Sequence, residues 1–361
     1  MIRTMYRSAD GTLHENLTPE RVREALQDPQ GTLWLDVAHS PLTRDQIGFE
    51  LRSLFPFHPL AIDDALLETH IPRLDDWGDY LYIVFHALDL EINRSLDTQE
   101  LDVFLGKNYL VTLHEEPIKA LDTQWEQCLH GRERRLASGP DHLLYVVADA
   151  IVSDYMTVVD GLDEEIDELE KLIFAHPHAR TISRIFRLRR TVLKLRRILG
   201  YLREVMNKLA RDPFAVIDAA DRVYFRDVYD HLVRLYDIIE GLRDMVGGAL
   251  DTYLSVTSNR MNEIMRALTV VTVLFMPISF ISGFFGMNFF GEAYNIPNPS
   301  GGKEPYAWVD QVAFWLCMAV MFGLPPIMLW WMRRRGWLRS VVDRSWRRDM
   351  DTAADEDSHA R

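Results

Sequence analysis

Two apolar segments close to the end of the chain constrain its fold more than any other feature. Residues 267–285 and 312–332 each run without a charged side chain. A helix needs about 20 apolar residues to cross the hydrocarbon of a bilayer, and both segments reach that length. The second ends among Trp330, Trp331 and Trp337, side chains that suit the headgroup layer. The sequence therefore predicts two transmembrane helices, at 267–286 and 312–332, joined by a loop over 287–311.

Basic residues set the expected orientation. Arg260 and Arg266 precede the first span, and Arg333, Arg334, Arg335 and Arg339 follow the second. The loop between them carries Lys303 alone. By the positive-inside rule both termini are cytoplasmic and the loop faces outward, as in a multi-pass protein of the cell (inner or plasma) membrane. Residues 1–16 contain no apolar stretch, so no signal peptide is expected. Cys128 lies in the soluble part and Cys317 inside a span, which implies no disulfide framework. The formal charge of −14 has the wrong sign for a nucleic-acid partner.

Residues 1–138 predict a cytoplasmic α/β domain. Segments 32–37, 80–90 and 101–113 are rich in β-branched and aromatic residues, the last with Gly106-Lys107-Asn108 as a hairpin turn. Thr18-Pro19 marks a helix start, and 58–68 predicts a further short helix. Residues 139–218 predict a helical hairpin, 141–174 and then a partner ending at Arg211, broken at Ala175-His176-Pro177-His178. Residues 160–170 hold seven acidic side chains in eleven, and 180–203 hold nine basic and no acidic ones. Those faces attract across the hairpin.

A third helix starts near Ala219 and meets no proline before Pro277. Its first part, 219–266, predicts a stalk. Val228, Leu232, Leu235, Ile239, Leu242, Val246, Ala249 and Tyr253 recur at alternating steps of four and three, a heptad seam. The stalk enters the first span without a linker and has little of its own chain to cover it, so the seam predicts self-association about a central axis. Inside the span, Asn262, Met265, Leu268, Thr272, Met276 and Ser279 fall on one helical face, with Thr269 beside it. Helices clustered by that face would line a pore of alternating apolar and weakly polar rings, none of them charged.

At the outer end of this span stands Phe285-Gly286-Met287-Asn288-Phe289. Gly286 permits a turn, and Asn288 offers a neutral amide oxygen that can hold a hydrated cation through its water shell. The stretch 261–289, MNEIMRALTVVTVLFMPISFISGFFGMNF, closely resembles the CorA family of magnesium and cobalt transporters. So do Tyr224–His231 (YFRDVYDH) and the basic run followed by Trp337-Leu338. The aromatic before the Gly-Met-Asn motif is Phe285 where the family usually has tyrosine. The loop also lacks an acidic pair directly after Asn288.

The resemblance implies a funnel-shaped homopentamer: an α/β N-terminal cytoplasmic domain, a long helical stalk and two C-terminal transmembrane helices, with five first spans around the pore and five second spans outside. It implies a selectivity filter at Gly286, Met287 and Asn288, and a pore face matching the stripe above. It also implies a regulatory Mg²⁺ site between subunits, with Asp227 on the stalk and Asp89 or Glu91 on the α/β domain. Segment 333–361 is a cytoplasmic basic stretch with an acidic tail. The expected activity is potential-driven influx of Mg²⁺, with Co²⁺ or Ni²⁺ as passengers, gated by intracellular Mg²⁺. Mg²⁺ is then both cargo and regulator, and no organic cofactor is expected. The partners are further copies of the chain, membrane lipid and divalent cations. Two other readings stand beside it: a zinc transporter of the same superfamily, and a membrane-anchored oligomeric sensor or scaffold. No nucleophile elbow, phosphate loop or HExxH motif points to an enzyme.

Overall fold

The computed structural model describes residues 2–38, 44–67, 71–89, 97–130, 134–175, 178–286 and 307–335. The chain divides into two compact units, Met1–Tyr253 and Leu254–Arg361, with the division falling within one helix.

The first unit opens with β1 (Ile2–Arg7), β2 (Leu13–Glu15), α1 (Pro19–Gln27), β3 (Thr32–Ala38), α2 (Arg44–Leu54) and α3 (Pro59–Leu66). It continues with β4 (Arg73–Asp76), β5 (Leu81–Asp89), β6 (Asp97–Leu105), β7 (Tyr109–His114), α4 (Lys119–Leu129) and α5 (Arg134–Ala137). Seven strands form one sheet in the order β2-β1-β3-β7-β6-β5-β4. β3 and β7 pair in parallel and the other neighbours antiparallel. Both central strands are buried on their two faces, which is why their sequences are nearly continuous apolar runs. One face, with Leu33, Leu35, Tyr82, Val84, Phe104 and Val111, packs on α1 to α3 through Val22, Ile47, Leu51 and Ile62. On the other face Trp34 lies 4.7 Å from Trp125 of α4.

The segments read as strands at 32–37, 80–90 and 101–113 correspond to β3, β5 and the β6–β7 hairpin, which turns at 106–108. Pro19 starts α1 with Thr18 as N-cap residue. β4 escaped the sequence reading because it is an edge strand. Its four residues, RLDD, carry charge where pairing stops.

Three long helices complete the picture: α6 (Pro140–Ala175), α7 (Ala179–Arg211) and α8 (Arg222–Gly286). The opposed charges of the hairpin do meet, since Arg184 Nε lies 2.9 Å from Glu165 Oε1 and Arg184 Nη2 lies 3.2 Å from Glu168 Oε2.

The stalk seam corrects the sequence reading. Val228, Leu232, Leu235, Ile239, Leu242, Val246, Ala249 and Tyr253 are all buried within a single chain. α7 carries its own heptad row, Ile185, Leu188, Val192, Leu195, Leu199 and Leu202, equally buried. Arg196 pairs with Glu240, and Arg203 lies 4.3 Å over the Tyr236 ring. The Tyr145 ring of α6 packs at a tilt 5.0 Å from that of Tyr224. At about 1.5 Å per residue, α6 and α7 are each roughly 50 Å long, enough to cover α8 through Tyr253. The seam therefore closes an intrachain bundle and is not the surface that meets other copies.

The second unit contains the rest of α8 and α9 (Ala307–Arg334). By length and composition, α6 and α8 are among the described helices apolar enough to cross a membrane, and α9 holds the charge-free run 312–332. The apolar window of α6 is 44% buried in the protein and that of α8 is 0% buried, so α6 is a core helix while α8 leaves its apolar surface uncovered. α9 continues through Pro325 and Pro326 and exposes Trp315, Leu316, Phe322, Ile327, Trp330 and Trp331.

Candidate ion pathway

Residues 269–273, TVVTV, are β-branched and weak helix formers in water. They are helical here, as an apolar segment must be where no water can satisfy its backbone. Pro277 lies inside the helix and has no N–H to offer the Val273 carbonyl.

Asn262, Met265, Leu268, Thr272, Met276 and Ser279 are all exposed and share one face of α8. From first to last they span about 25 Å, close to the thickness of a bilayer's hydrocarbon. The Thr272 hydroxyl donates to the Leu268 carbonyl at 2.9 Å, and the Thr269 hydroxyl to the Met265 carbonyl at 2.8 Å. Each hydroxyl proton is thus directed into the helix. The oxygen lone pairs remain outward, so the threonines present acceptors and not donors. Sequence reasoning missed one neighbour. Arg266 lines a shallow hollow with Asn262, Met265 and Thr269, so a positive charge stands beside the first level of the stripe.

The other candidate residues are less gathered. Gly286 is the last residue of α8, while Met287 and Asn288 lie outside the described residues, as does Glu91. Asp89 is the last residue of β5 and is in register with Asp97. Asp227 is exposed on α8 beside the buried Val228.

Among the described residues one carboxylate triad has donor atoms close enough to share a cation: Asp141, Asp218 and Asp221, within 4.8 Å of one another. Asp141 accepts backbone N–H bonds from His142 at 3.0 Å and Asp218 at 2.9 Å. Burial raises its carboxyl above the ordinary range; the Asp218 N–H opposes that shift and the charge of Asp221 adds to it. With both oxygens held by backbone, this residue ties the start of α6 to the turn before α8. No motif marked it, because its partners lie far apart in sequence.

Comparison with known proteins supports the same identification. The profile of the family described as CorA-like Mg²⁺ transporter protein matches residues 29–334. The Cobalt/magnesium transport protein CorA of Thermotoga maritima is 33% identical over 264 residues, 73% of this chain and 75% of that protein. The Putative metal ion transporter YfjQ of Bacillus subtilis is 31% identical over 325 residues, 90% of this chain and 95% of that protein. Among solved structures, the complete CorA magnesium transporter of Methanocaldococcus jannaschii superposes with a TM-score of 0.74 at 24% identity, covering 92% of this chain and 98% of that one; at that identity the likeness speaks for the fold. The chain belongs to the CorA-like Mg²⁺ transporter family.

Proposed function

We propose that this divalent metal cation transporter works as one subunit of a homopentameric Mg²⁺ channel whose pore is lined by α8. The observation that carries the reading is the exposed stripe of α8, Asn262 to Ser279, uncharged at its own positions within an apolar helix that the rest of the chain leaves uncovered. Outward-facing hydroxyl oxygens at Thr272 suit a hydrated cation. The apolar rings at Met265, Leu268 and Met276 would close the path by excluding water when narrow. Gly286, Met287 and Asn288 form the filter at the outer mouth, where neutral oxygens bind Mg²⁺ weakly enough to release it.

With the heptad seam occupied inside the chain, copies of the subunit meet through an exposed face of α8 that flanks the seam, about 100° round the helix from it. Arg234, Ile238, Gly241, Met245 and Gly248 repeat there at steps of four and three, all exposed. A Cβ at Gly241 or Gly248 would meet nothing within 4 Å in the subunit, although glycine inside a helix costs about 1 kcal/mol against alanine. Close approach of a second copy gives those glycines a reason. Asp227, with Asp89 or Glu91 of a neighbouring copy, forms the intracellular Mg²⁺ sensor. The bound ion removes like-charge repulsion and favours the closed packing.

The test is flux in liposomes. Asn288→Ala protein, with its assembly intact, is expected to lose Mg²⁺ flux or its preference among Mg²⁺, Co²⁺, Ni²⁺ and Zn²⁺, and Asp227→Asn protein to close only at higher internal Mg²⁺. Unchanged rate and selectivity in the first would remove Asn288 from the filter. An unchanged Mg²⁺ dependence in the second would remove Asp227 from the sensor. A wild-type preference for Zn²⁺ would support the zinc reading instead.

A further inference from the structure

The C-terminal end of α9 and the residue after it set two arginines near two tryptophans as cation–π pairs. The Arg334 guanidinium lies 5.4 Å from the ring centroid of Trp330, and that of Arg335 lies 5.4 Å from the centroid of Trp331. Both pairs are four residues apart, so they stand side by side on adjoining faces of the helix. All four side chains are exposed, and so is Arg333. A guanidinium has five N–H donors, so a cation–π contact to one indole leaves N–H groups free for a further partner. The guanidinium fork is shaped for two oxygens of a phosphate.

Charge at this end is unbalanced. No acidic residue occurs between 311 and 335. The carbonyls that end α9 favour cations nearby but are not counter-ions. The apolar run ends at Met332, directly before the arginines, so a spanning α9 delivers both pairs to the headgroup layer.

We infer that the Trp330–Arg334 and Trp331–Arg335 pairs bind the phosphate of an anionic phospholipid headgroup, such as phosphatidylglycerol. The inference rests on the spanning role of α9 in the function proposed above. Selectivity follows from charge, because the amine of a zwitterionic headgroup meets the same three arginines and is repelled. The cation–π contact restrains each guanidinium beside its indole, so less side-chain freedom is lost when the phosphate arrives.

Native mass spectrometry of the full-length assembly in detergent, titrated with phosphatidylglycerol and with phosphatidylcholine, tests this directly. Wild-type protein is expected to retain phosphatidylglycerol selectively. The double variant Arg334→Gln/Arg335→Gln should weaken that retention about 30-fold, as expected for two basic charges at a membrane surface. Arg334→Lys/Arg335→Lys keeps the charge and loses the planar fork, and should fall between the two. Equal retention of both lipids by wild type, or full retention by the glutamine variant, would overturn the site. A lysine variant equal to wild type would overturn recognition by the guanidinium fork. Displacement of the lipid by millimolar inorganic phosphate would assign the site to free phosphate. Should these variants fail to assemble, quenching of wild-type tryptophan fluorescence by brominated phosphatidylglycerol, compared with brominated phosphatidylcholine in nanodiscs, decides the matter in the same way. None of these readouts needs conduction. A protein that binds the lipid but passes no ion would sink the channel reading alone.

Discussion

Asp36 and His114 show how single residues hold the α/β unit together. His114 Nε2 lies 3.3 Å from Asp36 Oδ1, and its Nδ1 lies 2.7 Å from the Glu116 carbonyl. Both ring nitrogens face acceptors, an arrangement that favours the doubly protonated, cationic imidazole. Burial works against charge on either partner. It is outweighed at Asp36, whose carboxyl sits below its ordinary value through His114, Arg3 and the Thr112 hydroxyl. His114 sits above its own ordinary value through Asp36 and the Glu116 carbonyl. A raised imidazole stabilises the fold fully below about pH 6.5, and that share is lost as pH rises through its folded value. A lowered carboxyl stabilises fully above about pH 3.9, and that share is lost as pH falls through its folded value. His114→Gln should therefore destabilise the unit by about 2 kcal/mol near pH 5.5, and by less as the solution turns alkaline. Thermal melts followed through the fluorescence of Trp34 and Trp125 would check this; a difference constant from pH 5 to 9 would contradict it.

Among elements, the two faces of α8 make opposite predictions. Leu235 is buried against the chain's own helices, whereas Ile238 is 37% exposed. Leu235→Ala should cost about 3 kcal/mol of subunit stability, the usual range for a buried leucine. Ile238→Glu should leave the subunit's melting nearly unchanged and lower the assembly mass measured by light scattering. If Leu235→Ala melts like wild type, or if Ile238→Glu keeps the full oligomer, the assignment of faces is reversed. The heptad period of α8 was plain in the sequence, but a period names a seam and not its partner. The matching row on α7, Ile185 to Leu202, held that answer. The β3, β5 and β6–β7 strands were legible because buried strands are continuous apolar runs. β4 and the three-residue β2 were not, because polar or short edge strands look like loops. The α8 stripe followed from periodicity alone, whereas the intrusion of Arg266 beside it required the side-chain positions.

At the scale of the whole molecule, the account describes a path down an electrochemical gradient. A divalent ion crossing the full membrane field gains about 4.6 kcal/mol per 100 mV, twice the value for one charge. That suffices for entry without chemical energy, and the sequence contains no phosphate-binding loop. The measurement that bears most directly on the claim is Mg²⁺ entry into liposomes holding the full-length protein, with an imposed inside-negative potential and no ATP. The account predicts entry that rises with the potential, stops when the potential is collapsed without a Mg²⁺ gradient, and is unaffected by added ATP. Entry that required ATP, or no entry at any potential from a correctly assembled oligomer, would contradict it.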